Sequence, residues 1–493
     1  MMSVTVFRNL QRFAALLAGA SLSLAFAPFE IWPIATISIL VFYYTIYQEK
    51  SLREVWFRGF LFGIGKYFFG ASWILPSMLD YSDTDVFVCG LLFSILVLIL
   101  AMLYSLVALF AQNFRNWILN AAVFASGCCL LEICLSFSIG FSFPFLHLGY
   151  AFIDTPLSSY APIGGVWLVS YLAVFSSVSL LSLAHKQYIP GIATVVIWLS
   201  GFVMSGVSWT TENSTHEVAL VQGNVAIKEK FKPDATEKIV QKYVRLTRNV
   251  DSVDLVIWPE TAIPGSFQGV KTELQQLKAK TGAPLILGAF ERTGLEPHTN
   301  TYNSAVAING GVTSYRKQQL VPVGEYTPDF WPVRSMLEQL DFPESSLTRG
   351  NSRMNLMRLG NLNPVITICY EIAYPDMINR YLGAADFIVS ISEDSWFGDT
   401  HGAWQQLQIA RMRALETGRY VLRVSNDGPT AFIRSNGEIG EALPRFVPKI
   451  LTATLIGTTG VTPFVQFGLL PVAILLLISL LSATYEIVRS ERT

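Results

Sequence analysis

The chain has 493 residues, of which 52% are hydrophobic, 13% aromatic and only 14% charged. Its mean hydropathy of +0.42 lies beyond the soluble globular range, so the composition is that of a membrane protein. A formal net charge of −1 with no basic cluster excludes nucleic-acid binding, which requires a positive footprint.

In chain order, apolar stretches able to cross a bilayer are expected over 11–28, 31–47, 57–78, 86–110, 117–137, 158–184 and 189–207, with an eighth over 464–483. Between the seventh and the eighth lie about 250 residues that carry most of the charge. The expected organisation is a seven-helix membrane bundle over 1–210, a soluble domain over 211–458, and a last membrane helix with its tail over 459–493. Arg8 and Arg12 precede the first span, Lys50, Arg53 and Arg58 lie between the second and third, Arg115 and Lys186 fall in later connections of the same parity, and Arg489 and Arg492 follow the eighth. The alternate connections, around Glu30, from Asp80 to Asp85 and from Ser138 to Pro156, hold no Lys or Arg. By the positive-inside rule both termini are cytoplasmic and the soluble domain lies across the membrane. Arg8 and Arg12 before a run ending in Ala25-Phe26-Ala27 also fit a cleavable secretory signal. A retained helix is preferred because a second span begins almost at once, and either choice leaves the orientation of the rest unchanged.

Within the soluble region, strands are expected over 217–223, 254–258, 284–290, 302–309, 311–319, 364–369, 386–392, 419–425 and 430–435, and helices over 233–249, 270–281, 374–383 and 402–417. This alternation predicts an α/β sandwich with two sheets covered by helices on their outer faces. Strand ends carry the chemistry in such folds. Three of them end in groups that could do so: Glu260 after DLVIWP, Lys317 in SYRKQQL and Cys369 after PVITI.

Each of the three has a chemical use and a structural alternative. Glu260, beside apolar surface, would have a raised pKa and serve as a general base, or it is a helix N-terminal carboxylate before Thr261. Lys317 would favour a thiolate and a developing oxyanion, or it is an exposed strand lysine. Cys89, Cys128, Cys129 and Cys134 fall within predicted spans, where cysteine is a small hydrophobe. Cys369 stands alone in the soluble region, so its thiol is either packed in the core or used. A glutamate and a lysine can activate a cysteine as a histidine does elsewhere.

WPE at 258–260, KQQLVPVGEYTP at 317–328 and CYE at 369–371 resemble the Glu-Lys-Cys signature of the nitrilase superfamily, and the soluble region resembles that superfamily's αββα sandwich. With seven spans before it and one after, the whole chain resembles the apolipoprotein N-acyltransferases of Gram-negative bacteria. The resemblance implies ping-pong transfer of an acyl chain from a phospholipid, preferably phosphatidylethanolamine, to the α-amino group of the diacylglyceryl-cysteine that begins an apolipoprotein. It implies that Cys369 forms the acyl thioester, Glu260 is the general base and Lys317 stabilises the tetrahedral intermediates, a backbone N–H after the nucleophile adding a second donor. Glu325, Tyr370 and Glu371 match further positions that the family needs.

Phe231 in KEKFKPD is the nearest aromatic to the place where the family usually offers a Trp by the acyl site. Trp396 lies in the loop Ser392-Glu393-Asp394-Ser395-Trp396-Phe397-Gly398, which departs from the Ser-Asn-Asp that often precedes Trp-Phe-Gly in the family. The implied setting is the bacterial inner membrane, with the catalytic domain on the periplasmic side. Phospholipid donor, apolipoprotein acceptor and membrane lipids are the implied partners of a monomer that needs no cofactor.

The remaining features point less strongly. Histidines 147, 185, 216, 298 and 401 show no metal-ligand spacing, so a metalloenzyme is not expected. Gly63-Ile64-Gly65-Lys66 lacks the spacing of a phosphate loop. Lys66 and Glu132 are costly in lipid and are expected to face the bundle interior or to snorkel, transport being the functional alternative. Arg411, Arg413, Glu416 and Arg419 read as a solvated helix face or its end. A membrane-tethered nitrilase-type amidase would use the same three residues but release its acyl group to water, and only a water-excluding, lipid-accessible site separates it from a transferase. A transporter or scaffold whose soluble domain merely binds is a further alternative.

Overall fold

The structure, a computed structural model, describes residues 4–81, 84–137, 142–294, 299–329, 331–339, 346–351 and 355–492. His298 and parts of the connections around Asp85 and after Ser138 lie outside the described residues. The chain divides into two compact units, one formed by Met1–Leu79, Asp83–Val207 and Phe467–Thr493, the other by Asp80–Ser82 and Ser208–Gln466.

The first unit is helical because its long apolar runs must satisfy every backbone N–H and C=O internally. Its helices are α1 (Val4–Leu22), α2 (Trp32–Ile46), α3 (Leu52–Gly70), α4 (Ile74–Tyr81), α5 (Val86–Ala108), α6 (Trp117–Phe137), α7 (Ala161–Ala184) and α8 (Ile189–Met204). Among the described residues, four stretches are long and apolar enough to cross a membrane: α5, α6, Pro156–Ala184 and Leu470–Ser490. α2 and α8 are apolar but only 15 and 16 residues long.

Lys66 and Glu132 face the interior of this unit. Lys66 Nζ donates to Tyr104 Oη at 2.7 Å, and Glu132 Oε1 accepts from Leu148 N–H at 2.6 Å. The glycines before Lys66 serve packing: a Cβ on Gly65 would sit 2.3 Å from the Leu16 carbonyl oxygen, and one on Gly63 would sit 2.6 Å from Ala101 Cα. α3 can therefore approach α1 and α5 closely only because it has no side chains there.

The second unit is an α/β sandwich. Its elements in order are β1 (Thr211–Gln222), α9 (Ile227–Lys230), α10 (Ala235–Thr247), β2 (Leu255–Ile257), β3 (Ile263–Ser266), α11 (Phe267–Thr281), β4 (Leu285–Thr293), β5 (Asn300–Asn309), β6 (Gly311–Arg316), α12 (Trp331–Gln339), β7 (Pro364–Ile368), α13 (Pro375–Asn379), β8 (Phe387–Ser392), α14 (Gly402–Thr417), β9 (Val421–Ser425), β10 (Ala431–Ile433), β11 (Ile439–Ala442) and β12 (Lys449–Thr459). α15 (Pro463–Phe467) then leads to α16 (Leu470–Arg492), with which the chain returns to the first unit.

One sheet has the order β12-β1-β2-β4-β5-β6 with β3 paired to β4, and the other the order β11-β10-β9-β8-β7. Period-two alternation sorts the side chains of β1. Val218 and Leu220 join Ile366, Ile368, Val389 and Leu422 between the sheets, whereas Ala219 and Val221 join Ile239, Val240, Leu274 and Leu277 of α10 and α11 outside. The parallel pairs β1–β2, β2–β4, β7–β8 and β8–β9 put several strand ends on the same side, which is what gathers the site.

Two sequence expectations are corrected. β3, β11 and β12 fall outside the expected strands: β11 is exposed along all four residues, and β12 interleaves threonine with its apolar residues, so neither shows a strong apolar run. Arg411, Arg413, Glu416 and Arg419 do not form a solvated face, for all four are buried. Arg413 pairs with Glu416 at 3.0 Å, Arg411 Nε donates to the Gly437 carbonyl, and Arg419 donates to the carbonyls of Ala385 and Gly460. Loop carbonyls and one carboxylate compensate the desolvation that would otherwise keep these charges in water.

Candidate active site

Glu260 leaves the end of β2 and is 4% exposed. It sits so close to β4 that a Cβ on Gly288 would lie 2.4 Å from the Glu260 Cα, so only glycine fits at 288. Glu260 Oε1 accepts from Asn303 Nδ2 at 2.6 Å and from Lys317 Nζ at 3.4 Å, while Oε2 accepts from the Glu393 N–H at 2.8 Å. The carboxylate is thus held by three elements at once, and it is not the helix cap that its sequence also allowed.

Lys317 follows β6 directly and is 1% exposed, which rules out the exposed strand lysine. Its N–H donates to the Asn303 carbonyl at 2.8 Å, extending the pairing with β5, and its Nζ donates to Glu325 Oε1 at 2.8 Å. Glu325 Oε1 also accepts from Asn303 Nδ2 at 3.0 Å and its Oε2 from Val321 N–H at 2.8 Å. One lysine ammonium and one asparagine amide are therefore shared by two carboxylates.

Cys369 opens the 3-10 turn Cys369–Ala373 after β7, with φ at +53° and 9% exposure. A non-glycine residue in the left-handed region costs about 1–3 kcal/mol and persists where its surroundings determine it. Here they do, through Glu371. Its Oε2 accepts from Ile368 N–H at 2.9 Å, and its Oε1 accepts from Tyr315 Oη at 2.8 Å, Gln318 N–H at 2.7 Å and Gln319 N–H at 3.1 Å. Glu371 thereby ties the turn that bears the thiol to the loop that bears Lys317. Tyr370 is buried and packs edge-on against Tyr374, their ring centroids 5.1 Å apart.

The protonation of the site follows from burial and neighbouring charge. Burial pushes the Glu260 carboxyl above its ordinary value, Lys317 counteracts this, and Glu325 and Glu393 add to it. Burial pushes the Cys369 thiol up to about 12, with Glu260 adding to the rise and Lys317 and Gln406 opposing it. Burial works against the Lys317 ammonium, but Glu260 and Glu325 outweigh it and raise its pKa. The resting site holds a neutral thiol and a fixed cation beside a carboxylate with enhanced proton affinity, an arrangement suited to base-assisted attack by sulfur.

Phe231 and Trp396, unlike the residues of this group, are exposed, Phe231 to 65%. Their neighbours are nonetheless tied to it. Lys230 Nζ donates to Glu393 Oε2 and, at 3.0 Å, to the Thr261 carbonyl, and Ser395 Oγ donates to Glu393 Oε1. The departure at Glu393 is therefore matched by a buried lysine. Sequence reasoning missed Asn303, Gln406, Lys230 and the pair Arg423–Asp394. The available signals were a polar Asn inside the apolar strand TYNSAVAIN and three glutamines on α14. Among the described residues, no group of three His, Cys, Asp or Glu could hold a metal ion.

A two-sheet sandwich with a cysteine on a strained turn, a buried lysine and a glutamate defines a domain of the carbon–nitrogen hydrolase class, and residues 217–463 match the Carbon-nitrogen hydrolase family. Residues 18–179 match the Apolipoprotein N-acyltransferase N-terminal domain. The chain is 34% identical to the apolipoprotein N-acyltransferase of Pseudomonas putida over 93% of its own length and 94% of that protein. It is 32% identical to that of Vibrio parahaemolyticus over 98% of both chains. A crystal structure of an amidase from Nesterenkonia sp. is similar over 52% of this chain and 95% of its own, with 16% identity and a TM-score of 0.37. The chain belongs to the apolipoprotein N-acyltransferase family.

Proposed function

We propose that the protein transfers an acyl chain from a phospholipid, phosphatidylethanolamine by preference, to the α-amino group of the diacylglyceryl-cysteine of an apolipoprotein, by a ping-pong reaction at Glu260, Lys317 and Cys369. In the first half, Glu260 takes the Sγ proton as sulfur attacks the ester carbonyl carbon. The oxyanion forms near Lys317 Nζ, and collapse breaks the ester C–O bond, the leaving lysophospholipid oxygen taking the proton from Glu260. In the second half, the free amine attacks the thioester, Glu260 accepts its proton, and the sulfur leaves and is reprotonated. Glu325 and Asn303 hold Lys317 and Glu260 in place, Glu371 and Tyr370 support the turn at Cys369, and Phe231 and Trp396 offer apolar surface to an acyl chain.

The single observation that carries this reading is the buried hydrogen-bonded group of Glu260, Asn303, Lys317 and Glu325, coupled electrostatically to the Cys369 thiol. Eight membrane spans, a bundle over 1–210, a catalytic domain over 211–458 and a closing span with its tail over 459–493 complete the proposal. The one-sided distribution of Lys and Arg supports cytoplasmic termini and a periplasmic catalytic domain in the inner membrane. The protein acts as a monomer. The test supplies purified protein with phosphatidylethanolamine and a diacylglyceryl-cysteinyl peptide, and measures N-acylated peptide against released fatty acid. Transfer should predominate, and blocking the peptide's amine should stop it. Release of fatty acid at the same rate with or without the acceptor would identify a hydrolase instead.

A further inference from the structure

Gln406 lies on α14 and is 1% exposed. Its Nε2 donates to Cys369 Sγ at 3.5 Å, while its Oε1 accepts from Ser392 Oγ at 3.0 Å and from Arg423 Nη2 at 2.8 Å. Arg423 is itself fixed by the two carboxylate oxygens of Asp394 at 2.9 and 2.8 Å. Amide oxygen and nitrogen are assigned by their partners. Flipping this amide would set its NH2 group against the guanidinium, two donors facing each other in a dry interior, so the N–H must be the group that faces sulfur.

We infer that Gln406 is a catalytic residue that donates a hydrogen bond to the Cys369 sulfur as it becomes a thiolate, with Arg423 and Asp394 as positioning residues that aim it. The inference rests on the reading of Cys369 as the nucleophile. A hydrogen bond to the charged form of a group favours that form. The thiolate appears twice in the reaction, as attacker on the ester and as leaving group from the thioester, and the same donor lowers the barrier both times. The other charged groups acting on the sulfur are Glu260 after β2, Lys317 after β6 and Asp394 after β8, with Arg423 on β9 reaching it only through Gln406. Among the described residues, Lys317 is the cation that acts on it directly, so an oriented neutral donor supplies stabilisation that the two nearby carboxylates oppose.

The test is alkylation of Cys369 by iodoacetamide in the full-length, detergent-solubilised protein, followed by mass analysis of the Cys369 peptide between about pH 7 and 9. A lost hydrogen bond to a charged group raises the thiol pKa by about one to two units, and the greater nucleophilicity of the more basic sulfur offsets part of that, so Gln406→Leu should alkylate about 3- to 10-fold more slowly. Gln406→Met keeps the length and approximate volume and removes the donor without adding a charge, and it should be as slow as Gln406→Leu. If Gln406 only fills space, the Met variant alkylates at the wild-type rate, and that result overturns the inference. The Met variant also decides the matter if the Leu variant does not fold. Acylation of wild-type Cys369 by phospholipid, measured alongside, separates the two readings. A wild-type adduct on Cys369 with unchanged alkylation in the variants removes the role of Gln406 alone, whereas absence of that adduct removes the nucleophile reading itself.

Discussion

Lys317 lies closer to Glu325 than to Glu260: its Nζ is 2.8 Å from Glu325 Oε1 and 3.4 Å from Glu260 Oε1. The cation is therefore not locked in a tight pair with the proposed base. It is divided between two carboxylates, which leaves Glu260 with more proton affinity than an undivided pair would allow. Glu325→Gln should return the whole charge of Lys317 to Glu260 and remove a carboxylate that raises its pKa. Acyl-enzyme formation should slow by about 10- to 100-fold, and the acid limb of its pH profile should move to lower pH, because the base then ionises more easily. A profile unchanged in both height and position would remove Glu325 from the machinery.

Glu371 makes a different kind of contribution. Four donors converge on its two oxygens, and a glutamine there would turn its own NH2 toward at least one of them. Glu371→Gln should destabilise the catalytic unit by about 2–4 kcal/mol, the cost of leaving buried donors unmade, and should lose acylation through misplacement of both Cys369 and Lys317. Thermal melting and acylation measured together check this, since a variant with full stability and no activity would contradict the bracing role.

Lys230 and Glu393 form a fully buried ion pair, and the N–H of Glu393 is one of the donors to Glu260. Lys230→Met strands the Glu393 carboxylate and should cost about 3–5 kcal/mol of stability. Lys230→Met combined with Glu393→Gln removes the stranded charge and should recover much of that loss. Denaturant or thermal unfolding of both variants measures the coupling, and additive losses would mean that the pair is not an interacting unit.

Asp427 provides a pH test of stability. Burial, with Asp394 and Glu393 adding to it and Arg445 opposing, raises its carboxyl from 3.8 to about 7. The folded state thus keeps a proton that the unfolded chain releases, so this group lowers stability as pH rises from about 4 to about 7. Asp427→Asn should stabilise the protein by about 2–4 kcal/mol at pH 8 and by little at pH 4. Melting curves at the two pH values decide it, and an equal effect at both would contradict the assignment.

Glu260 and Cys369 are legible in the sequence because each follows an apolar run that announces a strand in a parallel pair, whereas Lys317 follows the largely polar β6, antiparallel to β5, and is legible only through the motif it shares with the other two. Their helpers are not. Asn303 and Gln406 lie inside elements that read as core, and their partners are 43 and 37 residues away, so only the register of β5 and the packing of α14 reveal what they face. The charges at the end of α14 and just beyond it misled for the same reason: Arg413 and Arg419 look solvated until the carbonyls and the carboxylate that receive them are placed. β11 and β12 lack the continuous apolar run by which buried strands are recognised. The positive φ of Cys369 has no signature in residue type, since it is imposed by Glu371 and the loop after β6.

The most direct measurement is the intact mass of the purified protein after incubation with phospholipid and no apolipoprotein. The mass should rise by one acyl chain, and neutral hydroxylamine should remove it, because a thioester yields far more readily than an oxygen ester. Cys369→Ala should take up no acyl chain, Lys317→Met should acylate more slowly by the equivalent of about 3–4 kcal/mol, and Glu260→Gln should fail at neutral pH yet recover partly in alkali as the thiol ionises unaided. A hydroxylamine-labile acyl adduct of normal yield in Cys369→Ala would contradict the account, and Cys369 would then be a packed core residue.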